Sequence, residues 1–205
     1  MSRPAKISIN LDALSHNLSV IKSKAQGSKV WSVVKADAYG HGLSCVWPAL
    51  SHTDGFALIE LDKAIMLREQ GWVGPILLLE GFFKPDDVYL LERYSLTTVV
   101  HADWQFEAIE QAQLERPINI YLKLNSGMNR LGYRPEDYQQ AIQRAKRITN
   151  IGSIVQMSHF ANADSGLNMA TQKQIIDSSM VNDLPRCLAN SAAILFEPQT
   201  HHSWV

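Results

Sequence analysis

The stretch VVKADAYGHG, residues 33–42, carries a lysine directly after two apolar residues and a tyrosine four positions further on. An amine delivered into a pocket by a buried strand can lose its proton and form a Schiff base with a carbonyl. Pyridoxal phosphate uses such a linkage, and its ring then serves as an electron sink for a carbanion. Its phosphate needs donors such as hydroxyls, backbone N–H groups and glycine-bearing turns. Tyr39 offers a hydroxyl near Lys35, and Ser191 offers another late in the chain. Ala36 and Ala38 leave room around the amine, and Gly40 and Gly42 let the chain turn. Other polar residues close apolar runs in the same manner: His101, Lys123 with Asn125, His159, and Asn190 with Ser191. The ordinary reading of His101 is a structural one. The adjacent pair His201 and His202 has no recognisable metal-binding spacing.

Elements must bring these residues to one place. Seven short apolar runs read as strands: WSVVKA (31–36), GFALIE (55–60), PILLLEG (75–81), LTTVVH (96–101), INIYLKLN (118–125), SIVQMSHF (153–160) and PRCLANSA (185–192). They are nearly continuous in apolar character, as strands covered on both faces are. Amphipathic stretches lie between them at 62–71, 103–113, 135–148 and 168–180. Asp103 is the expected N-cap of the second, and the third starts on proline and acids and ends on bases. The segment from Lys6 reads as a short strand followed by a helix capped by Asp12 or Ser15. Strands alternating with helices predict a parallel α/β fold, foremost a TIM-type (β/α)8 barrel, in which strand C-termini face the active site. Such barrels run to about 250 residues and eight strands. Seven runs therefore predict an incomplete barrel, one domain over residues 1–205, with a doubly wound open sheet as the alternative.

Composition narrows the function. Net charge is −1, from 19 basic and 20 acidic residues. That balance argues against a nucleic-acid or anionic-membrane binder. No apolar run nears the roughly 18 residues that span a bilayer, and residues 1–10 hold no long apolar core of a secretory signal. Cys45 and Cys187 lie far apart without CxxC spacing, so both are expected to be reduced and mostly buried. The resulting expectation is a cytoplasmic protein.

Four segments together carry a family resemblance. VVKADAYGHG closely resembles the cofactor-lysine motif of alanine racemases. IYLKLNSGMNRLGY (120–133), MSHFANAD (157–164) and ANSAA (189–193) resemble the next three family signatures, in the family's order. WSVVKADAYGHG, DGFALIELDKAIMLREQGW, GPILLLEGFF and LNSGMNRLGY are similar to the catabolic racemases of enteric-type bacteria. The resemblance implies a pyridoxal-phosphate enzyme of the barrel fold type that interconverts L- and D-alanine. By matching motif, Lys35 would form the aldimine with the cofactor and act as base on the D-alanine face. Tyr39 and Ser191 would bind the phosphate. His159 would pack beside the pyridine ring, and Asn190 would support that wall. Arg130 would meet the cofactor's phenolic oxygen and the substrate carboxylate. Lys123 matches a lysine that is carbamylated in many relatives.

The resemblance also sets limits. Family members are nearly twice as long and form homodimers. Past the stretch matching HHSWV they continue into an eighth strand and a β-rich domain that supplies the second base. These 205 residues are therefore expected to be an N-terminal piece without full turnover, with two open strand edges and doubtful dimerisation. A single-domain pyridoxal-phosphate carrier on a complete eight-stranded barrel is the rival expectation. Another amino-acid racemase or a decarboxylase relative is a further one.

Overall fold

The computed structural model describes Pro4 and residues 6–205. Residues 1–3 and 5, part of the segment read for a secretory signal, lie outside it. All seven expected strands are present, shorter than the apolar runs: β1 (Trp31–Val33), β2 (Gly55–Leu58), β3 (Ile76–Leu78), β4 (Thr97–Val100), β5 (Ile118–Lys123), β6 (Ile151–Met157) and β7 (Arg186–Cys187). Each pairs in parallel with the next in chain order. The run 185–192 contributes only two paired residues, because Asn190 already caps the following helix.

The helices lie where the amphipathic stretches predict them: α4 (Leu61–Glu69), α6 (Asp103–Gln111), α7 (Pro135–Ala145) and α8 (Met169–Ser179). Three start signals differ from expectation. The segment from Lys6 to Asn10 is not a strand. Helix α1 (Leu11–Lys24) is capped by Asn10, whose Oδ1 accepts the Ala13 N–H at 3.0 Å. Asp12 instead sits in the first turn, where a carboxylate suits the helix dipole. Asp103 is the first helical residue of α6 rather than its cap, and its carboxylate accepts the Tyr133 hydroxyl at 3.1 Å. Four short α segments complete the set: α2 (Lys35–Tyr39), α3 (Leu43–Val46), α5 (Asp87–Arg93) and α9 (Ser191–Phe196).

Strand alternation makes two cores. Phe56, Leu58, Ile76, Leu78, Val100, Ile120 and Leu122 are buried in the layer between sheet and helices. Their neighbours Ala57, Leu77, Val99, Tyr121, Val155, Met157 and Cys187 gather with Trp31 in a second cluster, inside the curve of the sheet. Trp31 fits there because its sheet partner is Gly55; a Cβ at Gly55 would stand 2.3 Å from Cζ3 of the indole. Cys187 is buried as expected, whereas Cys45, in the short α3, is exposed.

The expected pair of open edges is partly bridged. Trp204 forms parallel bridges to both Lys29, ahead of β1, and Cys187 of β7. The Lys29 N–H reaches Ser203 O at 3.1 Å, Trp31 N–H reaches Val205 O at 2.9 Å, and Val205 N–H returns to Lys29 O at 2.9 Å. The Trp204 indole stacks on Trp31 with centroids 4.0 Å apart, and Trp31 meets Tyr121 edge-on at 6.0 Å. Stacked and edge-on aromatic pairs of this kind add to the burial of their area. The sheet thus curls into an incomplete barrel whose two edge strands are linked only by isolated bridges through residues 203–205.

Candidate active site

Lys35, Tyr39, Lys123, Arg130, His159, Asn190 and Ser191 all line one cavity of about 240 Å³ at the C-terminal ends of the strands. Its floor is the inner core: Trp31, Ala57, Met157 and Cys187. Lys35 and His159 each lie two residues beyond the last residue of their strand, and Lys123 is the last residue of β5.

Lys35 opens an unusual segment. Ala36, Asp37, Ala38 and Tyr39 all have φ between 52° and 55°, so α2 winds left-handed. That geometry costs L-residues about 1–2 kcal/mol each, and such strain persists where the surroundings over-determine it. Here the Ala38 N–H reaches Val34 O at 2.9 Å, Gly40 N–H reaches Ala36 O at 2.9 Å and Gly42 N–H reaches Asp37 O at 2.9 Å. The turn brings the Lys35 Nζ to 6.0 Å from the centroid of the Tyr39 ring, within cation–π range. Tyr39 is 60% exposed and stands at the cavity mouth.

Arg130 arrives by a different device. The chain leaves β5 at Lys123, loops out and returns: Tyr133 N–H donates to Lys123 O at 2.8 Å, and Asn125 N–H donates to Tyr133 O at 2.9 Å. Gly132 allows the close crossing, with φ 116° and space for no Cβ, which would lie 2.7 Å from Asn125 N. Asn125 Oδ1 accepts the Gly127 and Asn129 N–H groups at 3.1 and 3.0 Å, so the loop that bears Arg130 is internally tied. Asn190 is also a structural tie: its Oδ1 accepts the Ala193 N–H at 3.0 Å and its Nδ2 donates to Phe160 O at 3.1 Å. Ser191, the first residue of α9, is held at the cavity wall by that cap.

The cavity is strongly cationic. Lys35, Lys123 and Arg130 face it, and Glu80 is the one acidic side chain among the described residues of its lining. Lys123 is only 8% exposed. Burial, then the Arg130 charge, pushes its ammonium down to about 8, against a smaller opposing pull from Glu80. Burial, with the same cations, pushes His159 down to about 4, so its imidazole is neutral at pH 7. Burial holds the Cys187 thiol up at about 12. Glu80 is the site residue that motif reading missed. It too lies two residues past its strand, so the rule that selects Lys35 and His159 would have found it. His101 is not in the cavity lining; its Nε2 is 3.1 Å from Glu80 O. His201 Nε2 lies 3.1 Å from Ile194 O.

Residues 9–205 match the alanine racemase N-terminal domain family. The chain belongs to this family. Across its full length it is 53% identical to an alanine racemase of Erwinia tasmaniensis and 50% identical to a catabolic alanine racemase of Klebsiella aerogenes, spanning 58% of the length of each. The fold agrees with the crystal structure of a biosynthetic alanine racemase from Pseudomonas aeruginosa, with TM-score 0.88 and 35% identity over 95% of this chain and 56% of that one. The crystal structure of an alanine racemase from E. faecalis gives TM-score 0.90 at 28% identity over 99% of this chain and 58% of that one. The incomplete barrel expected from seven strand signals is present, and its fold matches these racemase structures over little more than half of their length.

Proposed function

We propose that this chain is the cofactor-binding barrel of a pyridoxal-phosphate-dependent alanine racemase. The observation that carries the reading is the convergence of Lys35, Tyr39, Lys123, Arg130, His159, Asn190 and Ser191 on one cation-lined cavity in a chain of this family. The donor set fits the cofactor. A phosphate monoester carries about −1.5 to −2 charge at pH 7, and three cations against one carboxylate leave the cavity suited to it. Lys35 would hold the cofactor covalently, with the Tyr39 and Ser191 hydroxyls on its phosphate. His159, neutral and half-buried, would lie against the ring, and Asn190 would fix the wall behind Ser191. When bound, the cofactor withdraws electrons from the substrate α-carbon and so acidifies its proton.

The residues of this chain would do the rest. Arg130 offers a planar fork of donors to the alanine carboxylate, which a lysine could not match in geometry. The Lys35 amine would take and return the α-proton on the D-alanine face. Racemisation needs a second proton carrier on the opposite face, and on this reading a part of the racemase beyond these residues would supply it. Lys123 has a second expected chemistry. An amine with a depressed pKa is more often neutral, so it can add to CO2, forming a C–N bond and releasing a proton. The carbamate product would place a negative charge beside Arg130 and orient its guanidinium.

A cofactor carrier on a closed eight-stranded barrel is less well supported. The described residues form seven strands, with single-residue bridges at Trp204, and the relatives it matches are named alanine racemases. In the chain loaded with pyridoxal phosphate in deuterated buffer, D-alanine should take up solvent deuterium at its α-carbon much faster than L-alanine forms. Equal incorporation into both enantiomers, or racemisation keeping pace with exchange, would contradict the one-face assignment of Lys35. Intact-mass measurement in bicarbonate should show one added CO2, lost in Lys123→Met.

A further inference from the structure

The left-handed turn after Lys35 is also gripped from outside. Glu60 follows β2 at the same two-residue offset as Lys35 follows β1, and it is the N-cap residue of α4. Its side chain makes no capping bond to that helix. Instead Oε1 accepts the Ala36 N–H at 2.7 Å, while Oε2 lies 3.3 Å from the N–H of Ile59. Ala36 is the residue directly after Lys35 and the first in the left-handed region. The leading N–H groups of a helical turn have no acceptor within it, and here the Glu60 carboxylate takes that place where water otherwise would. The start of α4 supplies a second grip. Lys63 Nζ lies 3.5 Å from Asp37 Oδ1, and that oxygen accepts the Leu43 N–H at 3.0 Å. Two residues at the start of α4 therefore bracket the turn, one on each side of the Ala36–Asp37 peptide.

We infer that Glu60 is a positioning residue for the cofactor lysine: its carboxylate fixes the Ala36 N–H, holds the left-handed turn, and so aims the Lys35 amine and the Tyr39 hydroxyl into the cavity. This rests on the reading that Lys35 carries pyridoxal phosphate. Glu60 itself does not line the cavity, so it acts through the turn and not by touching the cofactor. Its length matters. A carboxylate on a two-methylene stem spans the gap between the ends of β1 and β2, which are adjacent parallel strands.

The test compares Glu60→Ala, which loses the acceptor, with Glu60→Gln, which keeps a carbonyl oxygen on the same stem. Two quantities are read on the full chain. One is the yield of borohydride-fixed pyridoxyl on Lys35 at limiting pyridoxal phosphate, relative to other lysines. The other is amide hydrogen exchange over residues 34–43. Glu60→Ala should lower Lys35 labelling about tenfold or more, as misplacement of a reacting group does, and should speed exchange at 36–40. Glu60→Gln should restore both. Parental labelling with a protected turn in Glu60→Ala overturns the inference. So does a Glu60→Gln chain that regains thermal stability but not Lys35 labelling, since that marks a merely structural role. If the parent chain itself gives no Lys35 adduct, the cofactor reading fails. The exchange data then decide the grip alone: unchanged protection in Glu60→Ala overturns it, and loss restored by Glu60→Gln supports it.

Discussion

At the scale of single residues, the cavity is defined by charge held out of water. Lys123 has a folded-state pKa near 8 against an ordinary 10.5, with burial the first cause. The unfolded chain therefore binds more protons than the folded one between about pH 8 and 10.5, and stability rises with pH across that window. Lys123→Met keeps most of the stem and removes the charge. In CO2-free buffer without cofactor, its unfolding free energy from urea titrations should stay flat over that window, and below pH 8 it should exceed the parent's by on the order of 3 kcal/mol. A parent curve without slope there would contradict the buried, cationic Lys123. His159, pushed to about 4 from 6.5 mainly by burial, has the same sign at lower pH. Its contribution is present above 6.5 and lost as pH falls toward 4, and His159→Gln should remove that part of the acid loss. The motif residues were legible because each stands in a distinctive run. Glu80 and Glu60 were not, because LLLEG and ALIEL read as the ends of plain strands. The strand-end rule applied to the runs 55–60 and 75–81 reaches both acids, and the sheet register then places each two residues past the last paired residue.

At the scale of elements, long periodic segments were readable and short ones were not. Helices α7 and α8 follow their amphipathic patterns, with Tyr138, Ala141, Ile142 and Ala145 buried on one side of α7. Helix α5 has seven residues and two buried ones, Val88 and Leu91, too few for a period to show. The left-handed α2 runs against propensity altogether, since alanine favours the right-handed helix and only its surroundings force φ positive. The short β7 was over-read because Asn190 belongs to the next element. Asn190→Ala should lower stability by about 1 kcal/mol, the usual worth of a cap, measured by denaturant unfolding. No loss would mean that the Ala193 bond contributes nothing to holding Ser191. Gly55→Ala tests the inner layer. Its methyl would meet the Trp31 ring, so overpacking should cost about 1–3 kcal/mol and alter the near-ultraviolet signal of the indole.

At the scale of the whole molecule, the parallel barrel follows from near-continuous apolar strands alternating with helices, and that much was readable. The bridging of its ends was not, because HHSWV shows no strand pattern and its three bridging residues gain meaning only between β1 and β7. Trp204→Ala removes the stack on Trp31 and should destabilise the fold by about 3 kcal/mol, with Trp31 fluorescence shifting toward that of a solvated indole. The site depends on that closure, since Trp31 and Val205 line the same cavity as Lys35. The central claim is that this cavity holds pyridoxal phosphate on Lys35. The most direct measurement mixes the purified chain with the cofactor, fixes any imine with borohydride and maps the labelled peptide. A single pyridoxyl group on Lys35, absent in Lys35→Ala, is the predicted result. Label scattered over exposed lysines, or equal label in Lys35→Ala, would contradict it.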